Sequence, residues 1–187
     1  FLKKQKRSLG IHEAEIIKIA VKSLGLDELK KFNIHDRVIE YMLEDKQEKK
    51  LIDKSLSDFI AETSSESPAP GGGSISAYCG SMGIALGTMV ANLSSHKRGW
   101  DEKWETFSKW AEKGIIMQNK LLKLVDDDTN AFNKIISAFQ LPKETKEEKL
   151  IRNKEIKEAT KNAIITPLEV MKVACESMEV IKEMAKI

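Results

Sequence analysis

Only two cysteines, Cys79 and Cys175, and four prolines occur in 187 residues, and aromatic side chains make up 6% of the chain. Two cysteines with no CxxC pair exclude a disulfide-stapled fold and a cysteine-rich metal site, and their apolar surroundings predict reduced core residues. The three histidines, His12, His35 and His96, stand far apart without ligand spacing, so no metal is predicted. Neither sign of charge dominates: 31 Lys and Arg face 29 Asp and Glu, for a net charge of +2. That balance excludes a dedicated duplex-DNA binder, whose basic residues must outnumber its acids on one face. Alternating apolar runs are also scarce, which leaves little material for strands. What remains is long stretches of Lys, Glu, Ala, Leu and Ile at helical spacing, and these predict an all-α fold: an antiparallel bundle of long helices.

A first helix is predicted over Ile11 to Leu24, ended by Gly25. The stretch Asp36 to Met42 is short and of undecided type. The charged run from Glu44 to Lys50 has no apolar face and reads as a linker. It divides the chain into 1–45, a linker over 46–54, and a helical domain over 55–187. Within that domain Ser55, with Asp58 three residues on, opens a short amphipathic helix to Thr63. No signal-peptide pattern opens the chain, and a cytoplasmic location is expected. The start at Phe1, inside a charged segment, implies a piece of a longer protein.

The run Ser67-Pro68-Ala69-Pro70-Gly71-Gly72-Gly73-Ser74 joins a stiff segment to a glycine hinge that opens directly onto an uncharged stretch. Such a junction leaves free N–H groups at a helix start, where a carboxylate or phosphate can be held without a basic side chain. A tight corner between packed helices would use the same residues. From Ser74 to Leu93 no charge occurs, a length that could cross a bilayer. Its many Gly, Ser, Thr and Asn residues argue instead for a buried helix of a protein without a membrane partner. Each helical Gly costs about 1 kcal/mol relative to Ala. Gly73, Gly80 and Gly87 recur every seven residues and form one line along the helix, along which another backbone could come close, in the same chain or in a two-fold partner. This helix is expected to be buried on all sides.

Trp100 to Phe139 reads as a long helical region, with Trp100, Trp104, Phe107 and Trp110 as a core or dimer-contact row or else a ligand-stacking platform. Further on, Leu121, Val125, Asp128, Phe132, Ile135 and Phe139 alternate at four and three residues and set Asp128 inside an apolar stripe. A carboxylate there must be paired, hydrogen-bonded or raised in pKa, which suits a general acid or base and equally a structural cap. Asp126 lies about 200° round the helix from Asp128 and Asp127 about 100°, so the triple Asp is no ready-made dyad. Leu141-Pro142 breaks the helix, and Thr145 with Glu148 forms a capping box for a last helix from about Lys146 to Ile187, in which Pro167 should force a kink or break. Lys143, Lys146, Lys149 and Arg152 cluster at its start, as a solvated face or a dock for an anionic tail.

In this order, SPAPGGGS, MVANL, LVDDDTNAF, LPKETKEEK and PLEVM resemble the cyclodeaminase domain of the formimidoyltransferase-cyclodeaminase family, over Leu51 to Ile187. The preceding segment, through Leu43, resembles the C-terminal end of the family's formimidoyltransferase part. The resemblance implies a cytoplasmic, dimeric folate enzyme of one-carbon and histidine-degradation metabolism, with no tightly bound cofactor and a tetrahydrofolate derivative, polyglutamylated, as its substrate. In the implied reaction the aniline-side nitrogen attacks the formimidoyl carbon on the pterin-ring nitrogen, and ammonia leaves behind a methenyl bridge. A carboxyl group can serve both proton transfers in turn. Asp128 is the candidate for that role, and Asp126 is the second member of the family's Asp-x-Asp pattern. Gly71, Gly72, Gly73 and Ser74 are expected to orient the substrate, and Lys143 with Arg152 to attract its glutamate tail. Family members continue past the segment matching Ile187, so the cyclodeaminase domain is expected to be cut short here. Two other readings stay open: a methenyltetrahydrofolate cyclohydrolase, and a helical interaction module that has lost the chemistry.

Overall fold

In the computed structural model, residues 2–4, 7–28, 30–43 and 50–186 are described, and among them the chain is helical without strands. The first helix, α1 (Glu13–Ser23), ends as the sequence predicts. Gly25 stands at φ +67°, and the Leu26 N–H reaches back to the Val21 carbonyl at 3.0 Å. A residue without Cβ closes a helix in this left-handed way at little cost. The undecided stretch resolves into two single turns, α2 (Ile34–Arg37) and α3 (Ile39–Met42). Residues 46–49 of the expected linker lie outside the described residues, while its far end makes a 3-10 turn over Leu51–Asp53. Next comes α4 (Leu56–Thr63), opened by the Ser55 hydroxyl, which accepts from the Asp58 N–H at 3.1 Å.

Three long helices make the body of the fold: α5 (Gly72–Ser94), α6 (Trp104–Gln140) and α7 (Lys146–Ala185). Their register can be read from single contacts. Gly73 meets Asp128, Gly80 meets Leu121 and Thr88 meets Gly114, so α5 and α6 run antiparallel. Gly80 also meets Ala174 and Gly87 meets Ile181, so α7 runs parallel to α5. Between the three, Ile84, Leu121, Val125, Val173 and Val180 are 0% exposed. Each such burial contributes about 1.5–3 kcal/mol. Phe59 of α4 stacks on Tyr78 of α5 with ring centroids 4.9 Å apart, which closes one side of that core.

The N-terminal segment is bound to this body. Leu9 donates its N–H to the Ser108 hydroxyl at 2.9 Å, and Asn92 donates to the Gly10 carbonyl at 2.8 Å. Gly10 is pressed so closely on α6 that a Cβ there would fall 2.2 Å from the Ala111 backbone.

Five expectations need correction. The uncharged helix is not buried on all sides: α5 carries exposed Met82, Leu86, Met89, Val90 and Leu93 on the face turned from α6 and α7. Its glycine line faces side chains of α6 and α7 where a backbone was expected. The close approach of two backbones occurs instead where Gly10 of the N-terminal segment meets Ala111 of α6, while Gly114 of α6 makes room for the Thr88 side chain. The apolar stripe of α6 is buried only as far as α5 covers it. Leu121 and Val125 are buried, whereas Phe132 and Phe139 lie beyond the first turn of α5 and are 40% and 55% exposed. Cys79 and Cys175 are free, as expected, yet exposed, because they fall on the outer faces of their helices. Finally, α7 continues through Pro167 without a break. A ring inside a helix removes one N–H and leaves one carbonyl without its donor, here that of Ala163.

Candidate active site

Pro70 is buried, its peptide bond with Ala69 is cis, and the chain turns at Gly71 into the first turn of α5. Helix starts leave their first N–H groups without intrahelical partners. Here the Ser74 N–H is taken by Asp128 Oδ2 at 2.9 Å, and the Ser74 hydroxyl donates to the Val125 carbonyl at 2.8 Å and lies 3.1 Å from the same Asp128 oxygen. Thr129 Oγ1 stands 3.2 Å from the Ser74 hydroxyl. The N–H groups of Gly72 and Gly73 have no acceptor among the described residues, so the positive end of the helix dipole is left facing outward there.

Asp128 therefore sits at the glycine bend, half-buried, one turn past the fully buried Val125. Its Oδ2 accepts from the Ser74 N–H and shares the single Ser74 hydroxyl proton with the Val125 carbonyl, while Oδ1 carries no hydrogen bond among the described residues. Gly73 is what allows this approach, since a Cβ there would lie 2.1 Å from Oδ1. Beside the pair opens a hollow of about 240 Å³, walled by Pro68, Gly71, Gly72, Gly73, Asp128, Phe132 and Ala163. A carboxylate oxygen, free N–H groups and an aromatic wall converge on it. Such a site can bind a flat polar ring and exchange a proton with it.

Asp126 opens elsewhere, as its place on the helix requires. It borders a separate hollow of about 630 Å³ with Leu51, Asn119, Lys123, Asn130 and Asn133. Burial pushes its carboxyl above the ordinary value, partly opposed by the Leu51 N–H, which donates to Oδ1 at 2.6 Å. That bond also fastens the start of the helical domain onto α6. Asp127 borders the same hollow and a third, of about 420 Å³, that reaches α7.

Of the residues singled out in the sequence, Gly71, Gly72, Gly73, Ser74 and Asp128 come together. Lys143 and Arg152 do not join them. Lys143 is exposed in the loop between α6 and α7, and Arg152 donates to the Phe139 carbonyl at 3.3 Å and lies over the Phe139 ring. Phe139 is eleven residues along α6 from Asp128, which is about 16 Å. Sequence reasoning missed Thr129, Phe132 and Ala163 as neighbours of the bend. Phe132 could have been found as the residue four positions beyond Asp128, on the same side of α6, whereas Thr129 lies about 100° round the helix and no spacing rule marks it. Ala163 follows from nothing local; only its position four residues before a proline marks it.

Residues 55–187 match the family described as "Formiminotransferase-cyclodeaminase", and residues 1–44 match the "Formiminotransferase domain". The formimidoyltransferase-cyclodeaminase of Rattus norvegicus is 33% identical over 94% of this chain and 33% of its own length. That of Gallus gallus is 36% identical over 89% of the chain and 31% of its own length. The methenyltetrahydrofolate cyclohydrolase of Methylorubrum extorquens is 34% identical over 71% of the chain and 64% of its own length. The chain thus spans about a third of the length of the bifunctional relatives it matches.

Proposed function

Because the chain belongs to the formiminotransferase-cyclodeaminase family, we propose that it closes the folate ring: formimidoyltetrahydrofolate becomes methenyltetrahydrofolate and ammonia is released. The observation that carries this reading is the Asp128 carboxylate fixed at the glycine bend with one oxygen unspent. In the proposed step the formimidoyl group enters protonated, as –CH=NH2+; the aniline-side nitrogen forms a bond to its carbon as the C=N double bond opens to an amino group, and gives its own proton to Asp128 Oδ1. The carbon then breaks its bond to the amino nitrogen, which takes the proton back and leaves as ammonia. One carboxyl group so placed acts first as base and then as acid. The Gly72 and Gly73 N–H groups orient the pterin by hydrogen bonds, and the Phe132 ring packs against it. Asp126, on its separate face, takes no part in the proton transfer itself.

Around that core reading stand the other proposals. The protein works in the cytoplasm, in histidine degradation, as an ammonia-lyase without a tightly bound cofactor. The exposed apolar face of α5 supports a homodimer or higher homo-oligomer. Residues 1–45 form the tail of a transferase part, 46–54 the linker and 55–187 the cyclodeaminase domain. Lys143 and Arg152 draw in the glutamate tail of the folate.

A second reading is favoured by the likeness to the Methylorubrum extorquens cyclohydrolase: opening of the methenyl bridge by water. The match of residues 1–44 to a formiminotransferase domain favours the deaminase. Measuring ammonia release from formimidoyltetrahydrofolate beside hydrolysis of methenyltetrahydrofolate decides between them. Ammonia with negligible hydrolysis upholds the proposal. If calorimetry finds no folate binding at all, the chain is a helical interaction module and the catalytic reading falls.

A further inference from the structure

Ala163 walls the glycine hollow, and its carbonyl is the interior one in α7 that lacks its helical donor. Pro167, four residues on inside the same helix, has no N–H to return to it. In an unbroken helix every other interior carbonyl is spent on the N–H four residues on. Thr166 turns its hydroxyl to the preceding carbonyl, that of Asn162, at 3.3 Å, so Ala163 gains nothing from it. A proline inside a helix destabilises it more than any other residue does. Here the deprived carbonyl belongs to a residue that walls the same 240 Å³ hollow as Gly71, Gly73 and Asp128. Around the hollow stand a carboxylate, the helix-start N–H groups and a residue whose carbonyl is uncommitted.

We propose that the Ala163 carbonyl, kept free by Pro167, accepts a hydrogen bond from the departing nitrogen of the substrate and makes the site selective for a nitrogen-bearing over an oxygen-bearing one-carbon group. This inference rests on the folate reading above. A formimidoyl group ends in N–H donors, which a carbonyl acceptor holds. A formyl group ends in an oxygen acceptor, which meets that carbonyl as like against like and leaves it unpaired. Pro167 is on this account a positioning residue for specificity, acting through the backbone of its neighbour.

The test is Pro167→Ala in the full chain, which returns the missing N–H to Ala163. Dissociation constants are measured by calorimetry, with parent and variants alike carrying Asp128→Asn so that the ligand is not turned over, for tetrahydrofolate carrying either a formimidoyl or a formyl group on the pterin-ring nitrogen. The parent should prefer the formimidoyl form. The variant should lose about tenfold in affinity for it while holding the formyl form as before. Thr166→Ala, one residue away, should leave the preference intact, and circular dichroism should find both variants as helical as the parent. Equal affinities before and after Pro167→Ala, or a matching loss for both ligands, overturn the proposal. A parent that binds neither ligand overturns the folate reading and this inference together, whereas a parent that binds both without preference overturns this inference alone.

Discussion

Gly73 and Asp128 occupy each other's space: a single Cβ on Gly73 would stand 2.1 Å from Asp128 Oδ1. The absence of a side chain on α5 is therefore what lets a carboxylate of α6 reach the Ser74 N–H at 2.9 Å. The glycine is needed for contact, since its backbone is helical and any residue could adopt it. Sequence, packing and chemistry meet at this pair.

Gly73→Ala should accordingly break the site while sparing the helix. The new methyl must expel the carboxylate, at a cost of about 1–3 kcal/mol from overpacking and the lost cap. Removing the obstacle should restore part of that loss, so Gly73→Ala made together with Asp128→Ala ought to cost clearly less than the two singles added. A urea-denaturation cycle measures this coupling. Simple additivity would mean that the two residues do not constrain each other.

Asp128→Asn separates the cap from the chemistry. An amide keeps an oxygen to accept from Ser74, and stability should stay within about 1 kcal/mol of the parent. It cannot take up and return a proton, so ammonia release should fall about 10²- to 10⁴-fold. Folate affinity measured by calorimetry should change little. Full turnover in this variant would remove Asp128 from the mechanism.

Asp126 invites a different measurement, of stability against pH. Burial raises its carboxyl in the fold, so the native state holds a proton that the unfolded chain has already released. Stability must then fall as pH climbs from the ordinary carboxylate value through the raised one. Asp126→Asn has no proton to lose, yet its amide oxygen still accepts from Leu51. The stability of this variant relative to the parent should therefore rise across that window and level off above it. Denaturation midpoints taken at several pH values on both proteins check the sign, and a flat or falling difference contradicts it.

Helix content, both capping motifs and the Gly25 terminator were legible in the sequence, because each depends on residues within one or two turns of one another. Asp128 was legible as an anomaly in a stripe; which of its two readings applied was not. The structure places it at a cap, and a cap does not preclude a proton-transfer role for the oxygen it leaves unspent. What misled was length. A periodic stripe predicts burial along its whole extent, yet α6 and α7 outrun α5, so Phe132 and Phe139 have no third helix over them. Relative helix lengths across a bundle, and so the exposed face of α5 and the outward cysteines, are set by tertiary register, which local spacing does not encode.

Arg152 offers the last test, because its structural and binding roles predict different patterns. Its guanidinium holds the Phe139 carbonyl at the end of α6, about 16 Å from Asp128 by helix rise. A folate with one glutamate held at the bend gains little from a cation so far away, since exposed charges are largely screened beyond about 8 Å at physiological salt. A tail of several glutamates can run along α6 and bring its carboxylates to Arg152 and Lys143. Arg152→Ala should then weaken binding of a polyglutamylated folate on the order of fivefold and leave the monoglutamate nearly unchanged. Raising the salt should shrink that gap. Were Arg152 only an end-cap for α6, the substitution would lower the melting temperature and weaken both ligands alike, and salt would make no difference between them.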